Sequence, residues 1–350
     1  MTVHPPPKQR LWIWLLWLIA FYSVWLWLVA GEGLWQTARD HWPIALSMAF
    51  GSYIAGSTPM GGGTVGFPIL VLLFEFPASL GRDFSFAIQS IGMTSASIFI
   101  LARRQPLAWS MLKGALGGSL VGTPLGLVFV APLVPDLWIK VVFAVIWASF
   151  GVLHLYRIGE IAGHDGMTEF DERWDLKVGF AAGLAAAVTV VAVTGVGIDM
   201  VIYATLVLLC RCDLKIAIPT SVILMAFTSL LGIAVKAVSG DIQPGVLEHW
   251  LAAAPVVALG APLGVFIVAL IGRKPTLLVV AALCVVQFVW TCYAEWPALG
   301  FAGVGFAVAA VAGCLFVFER LRTFGGVLVG ERKRYHARRE AASAAAPEDT

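Results

Sequence analysis

Residues 56–68 read Gly-Ser-Thr-Pro-Met-Gly-Gly-Gly-Thr-Val-Gly-Phe-Pro, in the middle of an apolar segment that runs from residue 42 to residue 74. One membrane helix needs about 20 apolar residues, so this segment is too long for a single ordinary span. Three consecutive glycines between Pro59 and Pro68 favour an interruption of the helix, because glycine and proline both weaken helical backbone. The segment therefore predicts two short helices joined by a glycine turn.

A second long apolar segment, residues 176–210, is interrupted in the same way at Gly195-Val-Gly197. Three short matches recur in the same order in the two parts of the chain, at offsets of about 130 to 138 residues. They are Leu70-Val-Leu-Leu73 with Leu206-Val-Leu-Leu209, Phe86-Ala-Ile-Gln-Ser90 with Ile216-Ala-Ile-Pro-Thr220, and Gly122-Thr-Pro-Leu-Gly126 with Gly260-Ala-Pro-Leu-Gly264. Ordered matches of this kind predict an internal duplication.

The composition places the chain in a membrane. Of the 350 residues, 59% are hydrophobic and 13% are charged, whereas a soluble domain carries about 25% charged residues. The net charge is +2 and the basic residues gather at the two ends instead of forming a stripe, so no nucleic-acid partner is predicted. The partners expected are a small-anion substrate and the lipid bilayer, and a homo-oligomer is compatible with the sequence.

Basic residues predict the topology, because cytoplasmic loops are enriched in Lys and Arg. Lys8 and Arg10 precede the first apolar run, and a basic tail follows the last one. If residues 42–74 form a hairpin, the Arg103-Arg104 loop shares the cytoplasmic side with both termini. A hairpin in each half also inverts the second half relative to the first, which is a recurrent plan in secondary transporters.

The predicted fold is thus an all-α polytopic membrane protein, a helical bundle of two inverted structural repeats with glycine-broken or re-entrant helices. Whether the two hairpins are re-entrant or fully crossing stays open. The predicted parts are an N-terminal extra transmembrane helix and loop (1–41), a first transmembrane repeat (42–156), an acidic cytoplasmic linker (157–175), a second transmembrane repeat (176–293), an extra C-terminal transmembrane helix (294–320) and a basic cytoplasmic tail (321–350).

The glycine turns are the first candidate for a binding site. Unwound backbone at membrane depth persists only where it lines a protein-enclosed or watery cavity, and exposed amides at the start of a half-helix favour an anion. Close helix packing by small residues is the alternative. The candidate substrate-binding residues in these turns are Gly61, Gly62, Gly63, Thr64, Thr194, Gly195 and Gly197.

Asp199 is the one carboxylate in the second long apolar segment. An acid at membrane depth is costly and usually has a task, so Asp199 is a candidate for proton coupling; the alternative is a helix cap. Four polar side chains are candidates to complete the coordination of an anion. They are Gln89 and Ser90 in the first half and, at the equivalent positions of the second half, Thr220 and Ser221. Hydrogen bonds between helices are the competing interpretation of these four. Asp83 and Asp213 are expected to cap helices.

No cofactor or metal is predicted, since the chain has no zinc pattern, no phosphate-binding loop and no Ser-His-Asp order. The five cysteines lie in or beside apolar runs and are expected to be buried thiols. An enzyme is therefore disfavoured, and no catalytic residue is assigned.

Four features of the sequence resemble the TauE/SafE family of sulfite exporters. They are the broken helix at Gly61–Gly63 and Pro68, its copy at Gly195-x-Gly197, the stretch Ala217-Ile-Pro-Thr-Ser221 and the paired Gly-x-Pro-Leu-Gly segments. The resemblance covers about residues 42–293. It implies a secondary carrier for sulfite, sulfonates or related small anions, with the glycine turns and Thr220-Ser221 lining the site. The chain departs from the pattern at Ile198 and Asp199, where glycines are expected, at Gln89-Ser90, which replaces a Thr-Ser pair, and in its extra tryptophan-rich first helix.

The expectation is export of a small sulfur-containing anion, with coupling to protons, across the inner membrane of a bacterium. A non-transporting membrane scaffold or assembly factor is the alternative. The particular anion, the direction of transport, the coupling ion and the oligomeric state are left open by the sequence.

Overall fold

The computed structural model describes residues 9–168 and 170–344, apart from the side chains of Gly63, Thr64, Lys333 and residues 335–344. The described residues are 85% helical and contain no strand. The helices are α1 (Leu11–Gly31), α2 (Trp35–Asp40), α3 (Trp42–Ser57), α4 (Gly63–Pro68), α5 (Ala78–Ala102), α6 (Trp109–Leu125), α7 (Asp136–Ile161), α8 (Glu172–Ala186), α9 (Ala192–Thr194), α10 (Ile198–Ala204), α11 (Leu214–Ser239), α12 (Val246–Ile271), α13 (Arg273–Ala294) and α14 (Trp296–Ala344).

Four helices continue directly into wider, π-helical turns. These turns are Ile69–Leu73 after α4, Gly126–Val130 after α6, Ala187–Val191 between α8 and α9, and Thr205–Leu209 after α10. Among the described residues, nine helical segments are long and apolar enough to cross a bilayer. The prediction of an all-α polytopic membrane protein is confirmed.

The first long apolar segment forms a re-entrant hairpin, hairpin 1, made of α3, the turn 58–62 and α4 with its π continuation. Gly51 and Met48 of α3 lie beside Val65 and Gly66 of α4, so the second arm folds back along the first. The arms have 16 and 11 residues, which is about 24 and 16 Å of helix, less than the roughly 30 Å of a bilayer core. Hairpin 1 therefore enters and leaves on one face.

The second long apolar segment forms hairpin 2, with α8 and α9 as its first arm, the turn Gly195–Gly197, and α10 with its π continuation as the return. The backbone just beyond the return bonds to the loop that precedes the hairpin: the Asp213 amide donates to the Gly166 carbonyl at 2.7 Å. Both ends of hairpin 2 thus lie on one face, the linker face, which contains residues 162–171.

The two hairpins enter from opposite ends of α7. Asp136, at the start of α7, accepts a hydrogen bond from the Ala78 amide just after hairpin 1, at 3.1 Å. Glu160, at the end of α7, pairs with Arg211 just after hairpin 2. This arrangement supports the prediction that the halves are inverted relative to one another.

The paired Gly-x-Pro-Leu-Gly segments bind each half to the hairpin of the other. In the first half, α6 packs on α8 so closely that a Cβ at Gly122 would lie 2.8 Å from the Leu184 carbonyl oxygen. In the second half, α12 packs on α3, and a Cβ at Gly264 would lie 2.3 Å from the Tyr53 carbonyl oxygen. Because only glycine permits such backbone approach, the motifs found by their repetition hold each hairpin in place.

Side chains of the tryptophan-rich α1 and of α5 donate to two carbonyls of α12 that lose their helical donor to proline. Pro255 has no N–H, so the carbonyl of Leu251, four residues earlier, loses its helical donor. The indole Nε1 of Trp25 donates to that carbonyl at 3.0 Å. Pro262 leaves the Ala258 carbonyl free in the same way, and there the hydroxyl of Ser95 donates at 2.6 Å.

One of the two capping expectations needs correction. Asp83 does not cap α5, because the helix begins five residues earlier at Ala78, after Pro77; Asp213 does cap α11, accepting from the Lys215 amide at 2.8 Å. The helix α14 continues past the predicted boundary at residue 320 as far as Ala344. The last part of the predicted basic tail, residues 345–350, lies outside the described residues.

Candidate functional site

Both hairpin turns depend on glycine. Gly61 in hairpin 1 has φ +65°, and Gly195 and Gly197 in hairpin 2 have φ +78° and +99°. Residues with a Cβ rarely adopt this left-handed region. The predicted breaks therefore exist at both places, and a glycine with positive φ forms each of them.

The tips of the two hairpins meet on α5 around Gly61. A Cβ built on Gly61 would lie 2.5 Å from Oε1 of Gln89, on α5, and 3.0 Å from Oδ2 of Asp199, at the start of α10. Gln89 and Asp199 are both buried, with 2% and 0% of their surface exposed. Three residues predicted separately from the sequence are thus brought together at the junction of the two halves.

Two oxygen acceptors at this junction have no donor among the described residues. Asp199 accepts the Met200 amide at 3.1 Å through Oδ1, but it lies inside the first turn of α10, whose N-cap is Gly197, so it is not the helix cap that was the alternative. Gln89 donates from Nε2 to the Ser85 carbonyl at 3.3 Å. The remaining oxygens, Oδ2 of Asp199 and Oε1 of Gln89, are buried without a hydrogen-bond partner in the described part of the chain. A buried acceptor left this way costs about 1–3 kcal/mol.

The space beside the junction is small. A cavity of about 10 Å³ is lined by Gly62, Gln89 and residues of α3, α5 and α12, and one water needs about as much. Gly62 has an ordinary φ of −70° and packs against its own hairpin, 3.3 Å from Cε of Met48. The junction is therefore closed around a volume smaller than any oxyanion.

The predicted residues of the second turn serve mainly to shape it. Thr194 is buried, and its hydroxyl lies 2.8 Å from the Val190 carbonyl and 3.0 Å from that of Val196. Gly195 lies against the backbone of Arg82 on α5, where a Cβ would come within 2.4 Å of the carbonyl oxygen. These contacts form the turn that presents Asp199.

Three other candidates make their side-chain hydrogen bonds away from the junction. The Ser90 hydroxyl donates to the Ala87 carbonyl at 2.7 Å, and Ser90 lines a separate apolar groove with Trp250. Thr220 accepts the Ala108 amide at 3.0 Å, at the start of α6. Ser221 bonds to the Ile218 carbonyl of its own helix at 2.8 Å. Gly63 and Thr64 lie in α4, with side chains outside the described part of the structure.

An ion cluster on the face opposite the linker was not predicted. The buried carboxylate of Asp83 lies 3.1 Å from Nε of Arg82 and 3.2 Å from Nζ of Lys236, and it accepts the Gln243 amide at 3.1 Å. Lys236 also pairs with Asp241. This cluster ties α5 to its counterpart α11. The sequence signal was Lys236 itself, a lone cation in an apolar run, which hydropathy alone does not connect to Asp83.

A second cluster lies at the linker face beside the end of hairpin 2. Glu160 pairs with Arg211 and, at 3.2 Å, with Arg322 of α14. Nε2 of His164 lies 3.4 Å from the Arg211 guanidinium. Burial, followed by the charge of Arg211, lowers the pKa of His164 below its ordinary value.

Comparison with known proteins identifies the family. The family model described as sulfite exporter TauE/SafE matches residues 44–291, more than two thirds of the chain. This chain belongs to the TauE/SafE family. Searches of the curated proteins and of the solved structures found no match.

The matched region contains every candidate site residue and both hairpins except Trp42 and Pro43, and it leaves out α1, α2 and α14. Members of the TauE/SafE family are membrane transporters and not enzymes, so the chain is a multi-pass membrane transporter; its composition had predicted the membrane location. The resemblance stated from the glycine motifs is confirmed.

Proposed function

We propose that this TauE/SafE protein is a secondary transporter that exports sulfite, an organosulfonate or a related sulfur-containing anion across the bacterial inner membrane, coupled to protons through Asp199. One observation carries the proposal: two hairpins from opposite faces meet at Gly61, with Asp199 of one half beside Gln89 of the other. Substrate sites of secondary transporters lie at such repeat interfaces.

The distribution of basic residues supports the orientation in this proposal. Five basic residues lie at helix ends on the linker side of the bundle. Arg103 and Arg104 follow α5, Arg211 follows hairpin 2, and Arg273 and Lys274 begin α13. Enrichment of Lys and Arg indicates a cytoplasmic face. In the proposed topology both termini therefore lie in the cytoplasm, and hairpin 2 enters from there.

The unpaired acceptors suggest how an anion and a proton would move together. An ionised Asp199 would repel an anion at the hairpin junction and would face the Gln89 oxygen without a donor. A protonated Asp199 can donate to Gln89 or to the substrate. The main-chain amides of the glycine turn, beginning at Gly61, supply further donors for negative charge. Anion binding then requires the proton, so the two cross together, and export proceeds when the outward gradient of the anion exceeds the inward gradient of protons.

The small cavity indicates that the site must open for substrate. Release of the Asp83–Lys236 pair would separate α5 from α11 on one face, and movement of hairpin 2 would open the other. Alternating exposure of a central site by motion of one repeat against the other is the usual mechanism of transporters built from repeats.

The test is flux in reconstituted vesicles. Wild-type protein is expected to accumulate sulfite or a sulfonate in response to a pH gradient. Asp199→Asn is permanently neutral at this position. The variant should still exchange the anion, but the accumulation driven by the pH gradient should fall at least about tenfold. The matched control is Asp165→Asn, because Asp165 is exposed in the linker.

An unchanged response to the pH gradient in Asp199→Asn would remove Asp199 from the coupling step. Absence of flux for every sulfur anion tested in the wild type would leave the scaffold or assembly factor as the better explanation.

A further inference from the structure

Arg103 is a half-buried cation with no carboxylate partner among the described residues. It ends α5 at the linker face, and its Nη1 is buried with no hydrogen-bond partner among the described residues. Its guanidinium carbon lies 5.5 Å from the ring centre of Phe99 and 5.8 Å from that of Phe266. The two rings orient the cation, but they do not neutralise it.

The sequence around this corner provides no acid. The three stretches that build it, residues 9–31, 84–135 and 249–294, contain no Asp or Glu. They do contain Arg10, Arg103, Arg104, Lys113, Arg273 and Lys274. A negative partner for Arg103 must therefore come from outside these helices.

An apolar groove leads along the bundle surface to Arg103. It has a volume of about 490 Å³ and lies between α1, α5 and α12. Its apolar lining is Leu11, Trp14, Phe99, Leu259, Leu263 and Phe266. The indole N–H of Trp14 already donates to Ser95 at 3.1 Å, so the ring presents only apolar surface to the groove.

The start of α1 closes the groove at its linker-face end, beside Arg103. The Arg10 amide donates to the Ala102 carbonyl at 2.8 Å, which fixes the start of α1 against the end of α5 beside Arg103. Leu259 and Leu263 remain about half exposed on the outer surface of the bundle. The groove thus opens sideways to the bilayer and ends at a cation near the membrane surface.

We propose that this groove is a specific site for one anionic phospholipid of the leaflet at the linker face. An acyl chain lies along the apolar wall, and the phosphate binds Arg103 at its unpartnered Nη1. Basic pockets between membrane helices select anionic headgroups in this way, and a guanidinium suits a phosphate better than an ammonium does.

The bound lipid joins α1 to the transporter core. One wall of the groove, α1, lies outside the TauE/SafE match at residues 44–291, whereas α5 and α12 lie inside it. The site lies apart from the proposed anion pathway, because Arg103 follows Gln89 of the hairpin junction by 14 residues at the end of α5, about 21 Å along the helix axis.

Native mass spectrometry of the full chain in mild detergent tests the proposal. Protein extracted from vesicles of mixed phosphatidylglycerol and phosphatidylcholine should retain one phosphatidylglycerol. Arg103→Gln should weaken its retention about tenfold, the effect of losing one charge-assisted hydrogen bond. Arg104→Gln is the matched control, since Arg104 is adjacent but does not line the groove.

A second variant keeps the test independent of Arg103. Leu263→Trp fills the groove from its exposed side and should reduce phosphatidylglycerol retention without affecting the headgroup contact. Equal retention in Arg103→Gln and wild type, or equal retention of the two lipids by the wild type, would overturn the proposal. Displacement of the lipid by free glycerol phosphate would also overturn it, because the site would then recognise phosphate alone.

Discussion

Adding one methyl group at Gly61 tests whether the hairpin junction is as tight as its contacts indicate. In Gly61→Ala, alanine must adopt φ +65°, which costs about 1–2 kcal/mol. The new Cβ would also lie 2.5 Å from Oε1 of Gln89 and 3.0 Å from Oδ2 of Asp199. Relieving such overpacking costs about 1–3 kcal/mol. The total expected loss of stability is therefore about 2–5 kcal/mol.

The neighbouring glycine provides the control. Gly62 has φ −70°, which alanine adopts without strain, and its nearest neighbour is Cε of Met48 at 3.3 Å, the mobile end of a flexible side chain. Gly62→Ala should therefore cost less than about 1 kcal/mol. The two substitutions add the same methyl group one residue apart, so composition and hydropathy cannot explain a difference between them.

Unfolding of the purified protein in mixed micelles with an increasing fraction of SDS measures both variants against wild type. Anion flux in vesicles is measured in parallel, and Gly61→Ala should lower it at least about tenfold if the methyl group displaces Asp199 or Gln89. Equal stability of the two variants would refute the reasoning, since it would mean that Gly61 neither needs its positive φ nor faces the two acceptors.

Two further substitutions test contacts that hydropathy does not predict. Lys236→Met should destabilise the protein by about 3 kcal/mol in the same micelle titration, because it leaves the buried Asp83 with fewer partners; a change near zero would show that this pair does not hold α5 to α11. Trp25→Phe should cost about 1–3 kcal/mol by leaving the Leu251 carbonyl without a donor, and Trp27→Phe, at a side chain exposed to lipid, should be neutral. If the two tryptophan variants behave alike, the hydrogen bond to Leu251 contributes nothing measurable.

Much of the candidate site was accessible from the sequence because its signals are local. Three glycines in an apolar run predict a broken helix wherever the run is placed, and Asp199 is conspicuous because charge is costly at membrane depth. Gly61 and Asp199 were identified in this way, whereas Gln89 was a candidate because of its place on the helix that follows the first break. Ser90, Thr220 and Ser221 stay predictions; their hydroxyls bond to carbonyls within their own helices, as a hydroxyl on a helix can always do.

By itself, the sequence determined the membrane location and the two broken segments, because length and hydropathy do not depend on how helices are placed; the duplication stays a prediction from the ordered repeats. Only the tertiary structure decided that the arms of hairpin 1 are too short to span a bilayer, that Gly122 and Gly264 pack each long helix against the hairpin of the other half, and that Lys236 meets Asp83. Those facts depend on which helix faces cross one another in space. The sequence pattern identifies a residue whose buried polar group needs a partner. Which residue becomes that partner depends on packing between segments that are far apart in the chain.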